Sequence, residues 1–203
     1  IATQLFIMSQ VPVIRQRVAP TRAPREAEAL RLPQVSIVAL AASTGGPPAL
    51  ASVLGALPPS FPAPILVVQH MGAAFMEGFA LWLATQTSLK VRLAADNETP
   101  QPGIVYVAPG DRHLLVGPTG LLRLSHDPPL HSQRPAATLM FRSLARAVGA
   151  KGVGVVLTGM GEDGARGLLE MKEAGAFTIA EDESTSVVYG MPGAVVRAGI
   201  ASK

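Results

Sequence analysis

Cysteine is absent from the 203 residues of the sequence. A disulfide framework and a metal site built on thiolates are therefore both excluded. The absence agrees with a protein of a reducing compartment, and we expect a cytoplasmic location.

Long hydrophobic runs are also missing. The sequence has no stretch of about 18 consecutive apolar residues, which predicts no transmembrane helix. The first residues, IATQLFIMSQVPVIRQR, have no basic residues ahead of their apolar part and no small-residue cleavage pattern. They are not typical of a secretory signal, and we expect no membrane insertion.

Aromatic and charged residues are scarce. Phe, Trp and Tyr make up 4% of the sequence and charged residues 15%, against 48% hydrophobic residues, which is typical of a folded globular protein. Residues 1–34 contain five of the 17 Lys and Arg and two of the 14 Asp and Glu. Residues 35–203 therefore contain twelve basic and twelve acidic residues. A formally neutral body with few aromatic residues predicts no nucleic-acid partner.

The order of patterns along the chain predicts an α/β fold. Residues 17–34 are rich in Pro, Ala and Arg, as in a linker, and from Val35 buried strands alternate with amphipathic helices. We predict strands at 35–41, 63–70, 90–96, 103–110, 152–159 and 177–182, helices at 48–57, 75–87, 137–149 and 164–176, and a hairpin at 114–126. This pattern indicates a mostly parallel, doubly wound sheet with helices on both faces and a small β-hairpin.

Three of the predicted strands end on residues that can carry chemistry. Ser43 follows the first strand, His70 ends the second, and Asp163 lies just beyond the strand at 152–159. In parallel sheets the functional groups gather at the carboxyl ends of the strands. Nucleophilic acyl transfer needs these residue types, because the imidazole removes the hydroxyl proton and the carboxylate orients the imidazole. The sequence therefore predicts a Ser-His-Asp set at the C-terminal edge of the sheet.

Each of the three residues also has an ordinary structural explanation. Ser43 and Asp163 both precede a predicted helix, and serine and aspartate often cap the first turn of a helix. His70 is compatible with a hydrogen-bonded histidine at a strand end. Their occurrence together at one sheet edge favours catalysis over three unrelated structural roles.

Glycines follow the serine and precede the aspartate. Gly45 and Gly46 come after Ser43, and Gly159 and Gly161 flank Met160. We expect tight or left-handed backbone at these glycines, with amide N–H groups left free at helix N-termini. Such amides suit the oxyanion of an ester hydrolase, and they suit a bound phosphate equally well. The alternative function is therefore a non-catalytic phosphate- or nucleotide-binding module, although the P-loop, dinucleotide-binding and G-x-S-x-G patterns are all missing.

The remaining histidines give no sign of a metal site. His113, His126 and His131 lie in or beside predicted turns and lack tight ligand spacing such as H-E-x-x-H. We expect solvated loop histidines, and we predict neither a metal nor an organic cofactor.

Several motifs then occur in a fixed order along residues 35–200. They are ALAASTGGPPAL, VVQHM, VYVAPGDRHLLV, HSQRPAATLMFRSLA, GVGVVLTGMGEDGARGL and VVYGMPGAVVRAG. The set resembles the catalytic domain of the chemotaxis protein-glutamate methylesterases (CheB-type). The resemblance implies that Ser43 is the nucleophile, His70 the general base and acid, and Asp163 the orienting carboxylate. It also implies that Thr44 lies beside the serine and that the Met160 amide helps to bind the oxyanion.

The same resemblance implies a substrate, partners and a domain organisation. The family hydrolyses γ-glutamyl methyl esters on the helical bundle of methyl-accepting chemoreceptors, and many members deamidate receptor glutamines. Residues 1–34 resemble the tail of a receiver domain plus a linker, and residues 35–203 a catalytic domain with an apparently truncated C-terminal segment. In the full-length protein we expect a receiver domain in cis, phosphorylated by a sensor histidine kinase.

Two further residues concern the substrate. Arg134 is a candidate for contact with acidic receptor helices, and a purely structural role is an equal alternative. Thr138 stands where many relatives have an acid, and we expect the difference to alter substrate contacts.

Overall fold

The computed structural model describes residues 35–203, and the expectations for residues 1–34 lie outside them. Six parallel strands form the main sheet, in the order β3-β4-β2-β1-β7-β8, and β5 and β6 form a separate antiparallel hairpin. The strands are β1 Ile37–Ala42, β2 Ile65–Gln69, β3 Lys90–Leu93, β4 Ile104–Val107, β5 His113–Val116, β6 Leu122–Ser125, β7 Gly152–Val156 and β8 Phe177–Ala180. The helices are α1 Gly46–Gly55, α2 Met76–Ala84, α3 Ala137–Ala147, α4 Ala165–Glu173 and α5 Met191–Arg197.

Apolar side chains cover both faces of the sheet. Helices α1 and α2 pack on one face through Leu50, Leu54 and Leu83, and α3, α4 and α5 contribute to the hydrophobic cluster on the other face. Strands β2 and β7 are buried along their whole length, which explains their continuous runs of apolar residues and glycine. None of the helices within residues 35–203 has the length and hydropathy needed to cross a bilayer.

The strand order places a crevice at the carboxyl end of β1. Strands β2 and β7 lie on opposite sides of β1. Helix α1, which follows β1, and helix α4, which follows β7, pack on opposite faces of the sheet. The direction of winding therefore reverses at β1, and open α/β sheets bind their ligands at the carboxyl ends of the strands near such a reversal.

Helix α5 is the element that the sequence patterns did not predict. It has seven residues, too few for a clear helical period, and a proline lies in its first turn. Met191 and Val195 are fully buried, so packing against the rest of the chain stabilises this short helix.

Candidate active site

An open cavity of about 470 Å³ lies at the carboxyl ends of the central strands. It brings together Ser43, His70 and Arg134, which come from three separate parts of the sequence. The other lining residues belong to the segment after β2 and to two loops, and they are Met71, Gly72, Ala73, Asp111, Pro129, Ser132 and Gln133.

His70 is held by Asp163. The imidazole Nε2 lies 2.8 Å from Asp163 Oδ2, and the two side chains are only 6% and 4% exposed. A carboxylate accepts hydrogen bonds only, so in the neutral imidazole Nε2 carries the proton and Nδ1 is an acceptor. The nitrogen that is free to take a proton is therefore Nδ1, on a ring that lines the same cavity as the Ser43 hydroxyl.

Asp163 is fixed by the amino end of α3 as well as by His70. Its Oδ2 accepts a hydrogen bond from the Ala137 amide at 2.7 Å, and its Oδ1 accepts one from the Thr138 amide at 3.0 Å. Burial alone would raise the pKa of the Asp163 carboxyl, but the hydrogen bonds from His70 and Thr138 outweigh it and lower the pKa below its usual value. The carboxylate is therefore ionised near neutral pH, also favoured by the positive end of the α3 dipole.

The structure corrects the capping alternative for Asp163. The residue before α4 is Gly164, which has a φ of 96° and makes no side-chain capping bond. Asp163 instead accepts hydrogen bonds from the first amides of α3, a helix that comes earlier in the chain and is separated from Asp163 by β7. Asp163 therefore caps a helix that is distant in sequence, and a local sequence pattern does not indicate such an interaction.

The Ser43 side chain does not cap α1. The N-cap of this helix is Gly45, and no side chain makes a capping bond there. The Ser43 amide donates to the Thr158 carbonyl at 3.0 Å, which fixes the serine to the end of β7. Within residues 35–203 the Ser43 hydroxyl has no hydrogen-bond partner, so it is available to a ligand in the cavity.

The four glycines near the site serve two different purposes. Gly45 and Gly161 have φ values of 80° and 88°, in the left-handed region, as expected. Gly46 and Gly159 do not, and what they provide is space. A Cβ on Gly46 would lie 2.0 Å from the Gln69 Oε1 atom, and a Cβ on Gly159 would lie 2.8 Å from the Ser43 Cβ.

The amino end of α1 is poorly equipped to bind a phosphate. Its first residue, Gly46, already donates its amide to the Ser43 carbonyl at 2.8 Å, and the next two residues are prolines without an amide proton. Thr44 and Met160 carry amides with no hydrogen-bond partner among residues 35–203. Neither residue lines the cavity, and nor do Gly45 and Gly46.

Arg134 combines a structural role with a position on the cavity. Its Nη1 donates to the carbonyls of His126 and Asp127 at 3.4 Å, and its Nη2 lies 3.9 Å from Asp111 Oδ1. Its buried Nε has no hydrogen-bond partner within the described part of the chain. The guanidinium group thus stabilises the loop between β6 and α3, and it also places a positive charge at the cavity wall.

Two non-glycine residues that line the cavity lie in the left-handed backbone region. Asp111 and Ser132 have φ values of 56° and 61°, and His131, which precedes Ser132, has a φ of 50°. Each such residue costs on the order of 1 kcal/mol of strain. Strain of this kind often occurs at functional sites, where the surrounding structure maintains it.

Two of the expectations for single residues are wrong. His113 is fully buried and is not a solvated loop histidine, because its Nδ1 accepts a hydrogen bond from the Ala136 amide at 3.1 Å. Thr138 is 1% exposed and does not line the cavity, so it makes no substrate contact there. Its hydroxyl accepts a hydrogen bond from the Gly164 amide at 2.8 Å and thereby supports the turn that carries Asp163.

Sequence reasoning also missed two buried polar residues beneath the site. Gln69 is 2% exposed, and its amide contacts the backbone of Ser43 and His70. Thr158 is fully buried, and its hydroxyl donates to the Thr44 carbonyl at 2.9 Å and accepts from the Val188 amide at 2.9 Å. The signal that could have revealed both is a polar residue at the end of an apolar strand pattern.

Comparison with known proteins agrees with the motifs. The model of the CheB methylesterase family matches residues 38–203. The protein-glutamate methylesterase/protein-glutamine glutaminase 2 of Paramagnetospirillum magneticum is 47% identical, over 99% of this chain and 58% of that protein. The protein-glutamate methylesterase FrzG of Myxococcus xanthus is 45% identical, over 99% of this chain and 60% of that protein. The chain thus spans somewhat more than half the length of these curated relatives.

A solved structure supports the same relationship. The crystal structure of the Thermotoga maritima CheB methylesterase catalytic domain matches with a TM-score of 0.80 and 40% sequence identity. The match covers 83% of this chain and 90% of that chain. It confirms the fold class that the sequence predicted.

Proposed function

The chain belongs to the CheB methylesterase family, and we propose that it hydrolyses γ-glutamyl methyl esters on methyl-accepting chemoreceptors, releasing methanol. The observation that carries the proposal is the open cavity in which an unpartnered Ser43 hydroxyl and the His70 ring lie together. The hydrogen bond from His70 to Asp163 supports the same conclusion, because it leaves Nδ1 as the proton acceptor.

The proposed reaction is a two-step acyl transfer. Ser43 Oγ attacks the ester carbonyl while its proton moves to His70 Nδ1, and Asp163 stabilises the resulting imidazolium. The imidazolium then protonates the departing methoxide, and an acyl-enzyme remains on Ser43. A water molecule, deprotonated by His70, attacks the acyl group and releases the glutamate side chain and the free serine.

We assign the oxyanion to backbone amides near Ser43. The amides of Thr44 and Met160 have no hydrogen-bond partner within residues 35–203, so both are available as donors to it. We assign Arg134 to the acidic side of the substrate, because its positive charge lies at the cavity wall and chemoreceptor methylation sites are glutamates. Gly45 and Gly46 shape the turn that presents these amides.

The same machinery is suited to deamidation. An amide carbonyl accepts the Ser43 hydroxyl as an ester does, and the His70 imidazolium then protonates ammonia as the leaving group. The relative from Paramagnetospirillum magneticum carries both activities in its name. We therefore include receptor glutamine deamidation in the proposed function.

We also propose a cytoplasmic location and a receiver domain in cis. The chain covers 58% and 60% of two relatives, which leaves room in such proteins for a domain of receiver size. Phosphorylation of that domain by a sensor histidine kinase would then control access to the cavity.

The test is methanol release from a purified chemoreceptor that carries tritiated methyl esters. We expect the wild-type protein to release the label and Ser43→Ala to lower the rate by at least about 10³-fold, because the nucleophile is lost. Ser60→Ala, an exposed serine between α1 and β2, is the matched control and is expected to keep full activity. Equal release by wild type and Ser43→Ala contradicts the proposal, and so does a bound nucleotide that persists through purification without any release of label.

A further inference from the structure

Gln69 is a buried amide that joins the backbones of two site residues. Its side chain ends β2 on the inside of the fold, with 2% of its surface exposed. The Nε2 atom donates one hydrogen bond to the Ser43 carbonyl at 2.9 Å and another to the His70 carbonyl at 3.0 Å. Both protons of the amide are therefore used on the two residues that meet in the cavity.

These two bonds continue the sheet beyond its last regular pairing. The final backbone bond between β1 and β2 runs from the His70 amide to the Ala42 carbonyl, at 3.0 Å. Past this point the strands separate, and the carbonyls of Ser43 and His70 have no amide partner on the facing strand. The Ser43 carbonyl already accepts the Gly46 amide of its own turn, and the Gln69 side chain adds the bond that joins it to the end of β2, so that the spacing of the two strand ends is fixed.

Gly46 leaves the space that Gln69 needs. A Cβ at position 46 would lie 2.0 Å from the Gln69 Oε1 atom and 3.0 Å from its Cδ. The Oε1 atom is buried and has no hydrogen-bond partner within residues 35–203. An apolar side chain at this position would avoid an unpaired buried oxygen, which is costly. The amide is therefore better explained by its two donated bonds than by packing.

We propose that Gln69 is a positioning residue that sets the geometry between Ser43 Oγ and His70 Nδ1. The inference rests on the proposed esterase function and adds to it a residue that does not touch the substrate. Because Gln69 does not line the cavity, its loss should leave substrate binding almost unchanged. Because a misplacement of about 1 Å costs on the order of 10²-fold in rate, its loss should lower kcat.

The experiment measures kcat and KM for release of tritiated methanol from a methylated chemoreceptor. Gln69→Leu removes both donated bonds, and Gln69→Glu keeps the shape of the side chain but replaces the donor by an acceptor. We expect kcat to fall by about 10- to 100-fold in both, with KM within about twofold of wild type. Thr178→Val is the control, because Thr178 is a fully buried threonine on β8 whose hydroxyl donates to the Ile200 carbonyl at 2.7 Å. It should lower the unfolding midpoint without changing kcat.

A milder variant keeps the test decisive if Gln69→Leu and Gln69→Glu fail to fold. Gln69→Asn keeps a buried amide but shortens the side chain by one methylene, so its donors no longer reach both carbonyls, and it should reproduce the fall in kcat with little change in KM. Folded variants that keep wild-type kcat, or that raise KM at constant kcat, overturn the positioning role while wild-type activity preserves the esterase function. A wild-type protein that releases no methanol overturns both.

Discussion

At the scale of single residues, Asp163 links the chemistry of the site to the stability of the fold. Its carboxylate orients His70 and also satisfies two amides at the start of α3. Replacing it with asparagine introduces a donor that faces those amides and His70 Nε2–H, so one change affects both roles.

We therefore expect Asp163→Asn to lower kcat by about 10²- to 10⁴-fold and to destabilise the protein in a pH-dependent manner. The native pKa of this carboxyl lies below its usual value of about 4, so its ionised form stabilises the fold above that pH. The stabilisation is lost as the pH falls through the native pKa, because the native state must then take up a proton.

Urea unfolding at several pH values is the measurement for this prediction. The difference in stability between wild type and Asp163→Asn should be largest near pH 7 and should shrink below about pH 4. Asp127→Asn, on an exposed loop, is the control for the loss of a carboxylate that accepts no hydrogen bond within residues 35–203. A constant difference from pH 7 to pH 2 would contradict the linkage.

Ser43, His70 and Asp163 could be predicted as site residues because they lie at the ends of strands. The sequence indicates those strands by their buried apolar runs. The supporting residues were not predictable in the same way. Gln69 and Thr158 act through backbone groups of distant residues, and His113 is buried by a loop whose path the sequence does not indicate. Such contacts depend on tertiary geometry, which the local periodicity of the sequence does not indicate.

At the scale of elements, the contact between α3 and α4 depends on one glycine. A Cβ on Gly167 of α4 would lie 2.3 Å from the Thr138 carbonyl and 2.9 Å from the Phe141 Cβ. The helices approach each other closely there, and the backbone of Thr138 is the same backbone that binds Asp163.

Gly167→Ala should therefore destabilise the protein by about 1–3 kcal/mol, because the added methyl group meets backbone atoms. Alanine has a higher helix propensity than glycine, so propensity alone predicts that the substitution stabilises the protein. Gly78→Ala in α2 is the matched control, since a Cβ there meets no atom within 4 Å, and it should stabilise by about 0.5–1 kcal/mol. Thermal or urea unfolding of both variants decides the matter, and stabilisation by both would refute the close-contact argument.

Elements with strong patterns were predictable, and those held by packing alone were not. The order of strands and helices from Val35 to Ala180 matches the sequence prediction, because the buried strands are visible as apolar runs and the longer helices as amphipathic periods. Helix α1 begins at Gly46, two residues before the expected start, since its first turn contains Pro47 and Pro48 and no periodic signal. Helix α5 is too short to show a period at all.

At the scale of the whole molecule, the site depends on chain segments that are far apart in sequence. His70 and Asp163 are 93 residues apart and are joined only by the folded sheet. The single tryptophan, Trp82, lies instead in α2, where its ring stacks on Phe79 with centroids 6.1 Å apart. The stacking of Trp82 on Phe79 is thus a contact that is local in sequence, whereas the His70–Asp163 contact requires the parallel sheet.

We expect refolding from urea to restore the Trp82 fluorescence before it restores esterase activity. Local contacts form faster than long-range parallel pairing, and chains of this size commonly populate intermediates. Stopped-flow fluorescence and activity sampled during refolding give the two rate constants. Identical rate constants would show that the molecule folds in one cooperative step.

The distance between His70 and Asp163 also has a consequence for synthesis on the ribosome. Ser43 and His70 leave the ribosome long before Thr158 and Asp163, and the Val188 amide that secures Thr158 follows later still. A nascent chain that already holds the serine and the histidine has no Asp163 carboxylate to orient the imidazole ring. The complete site of the proposed esterase therefore forms only after translation has passed β7 and the loop that follows β8.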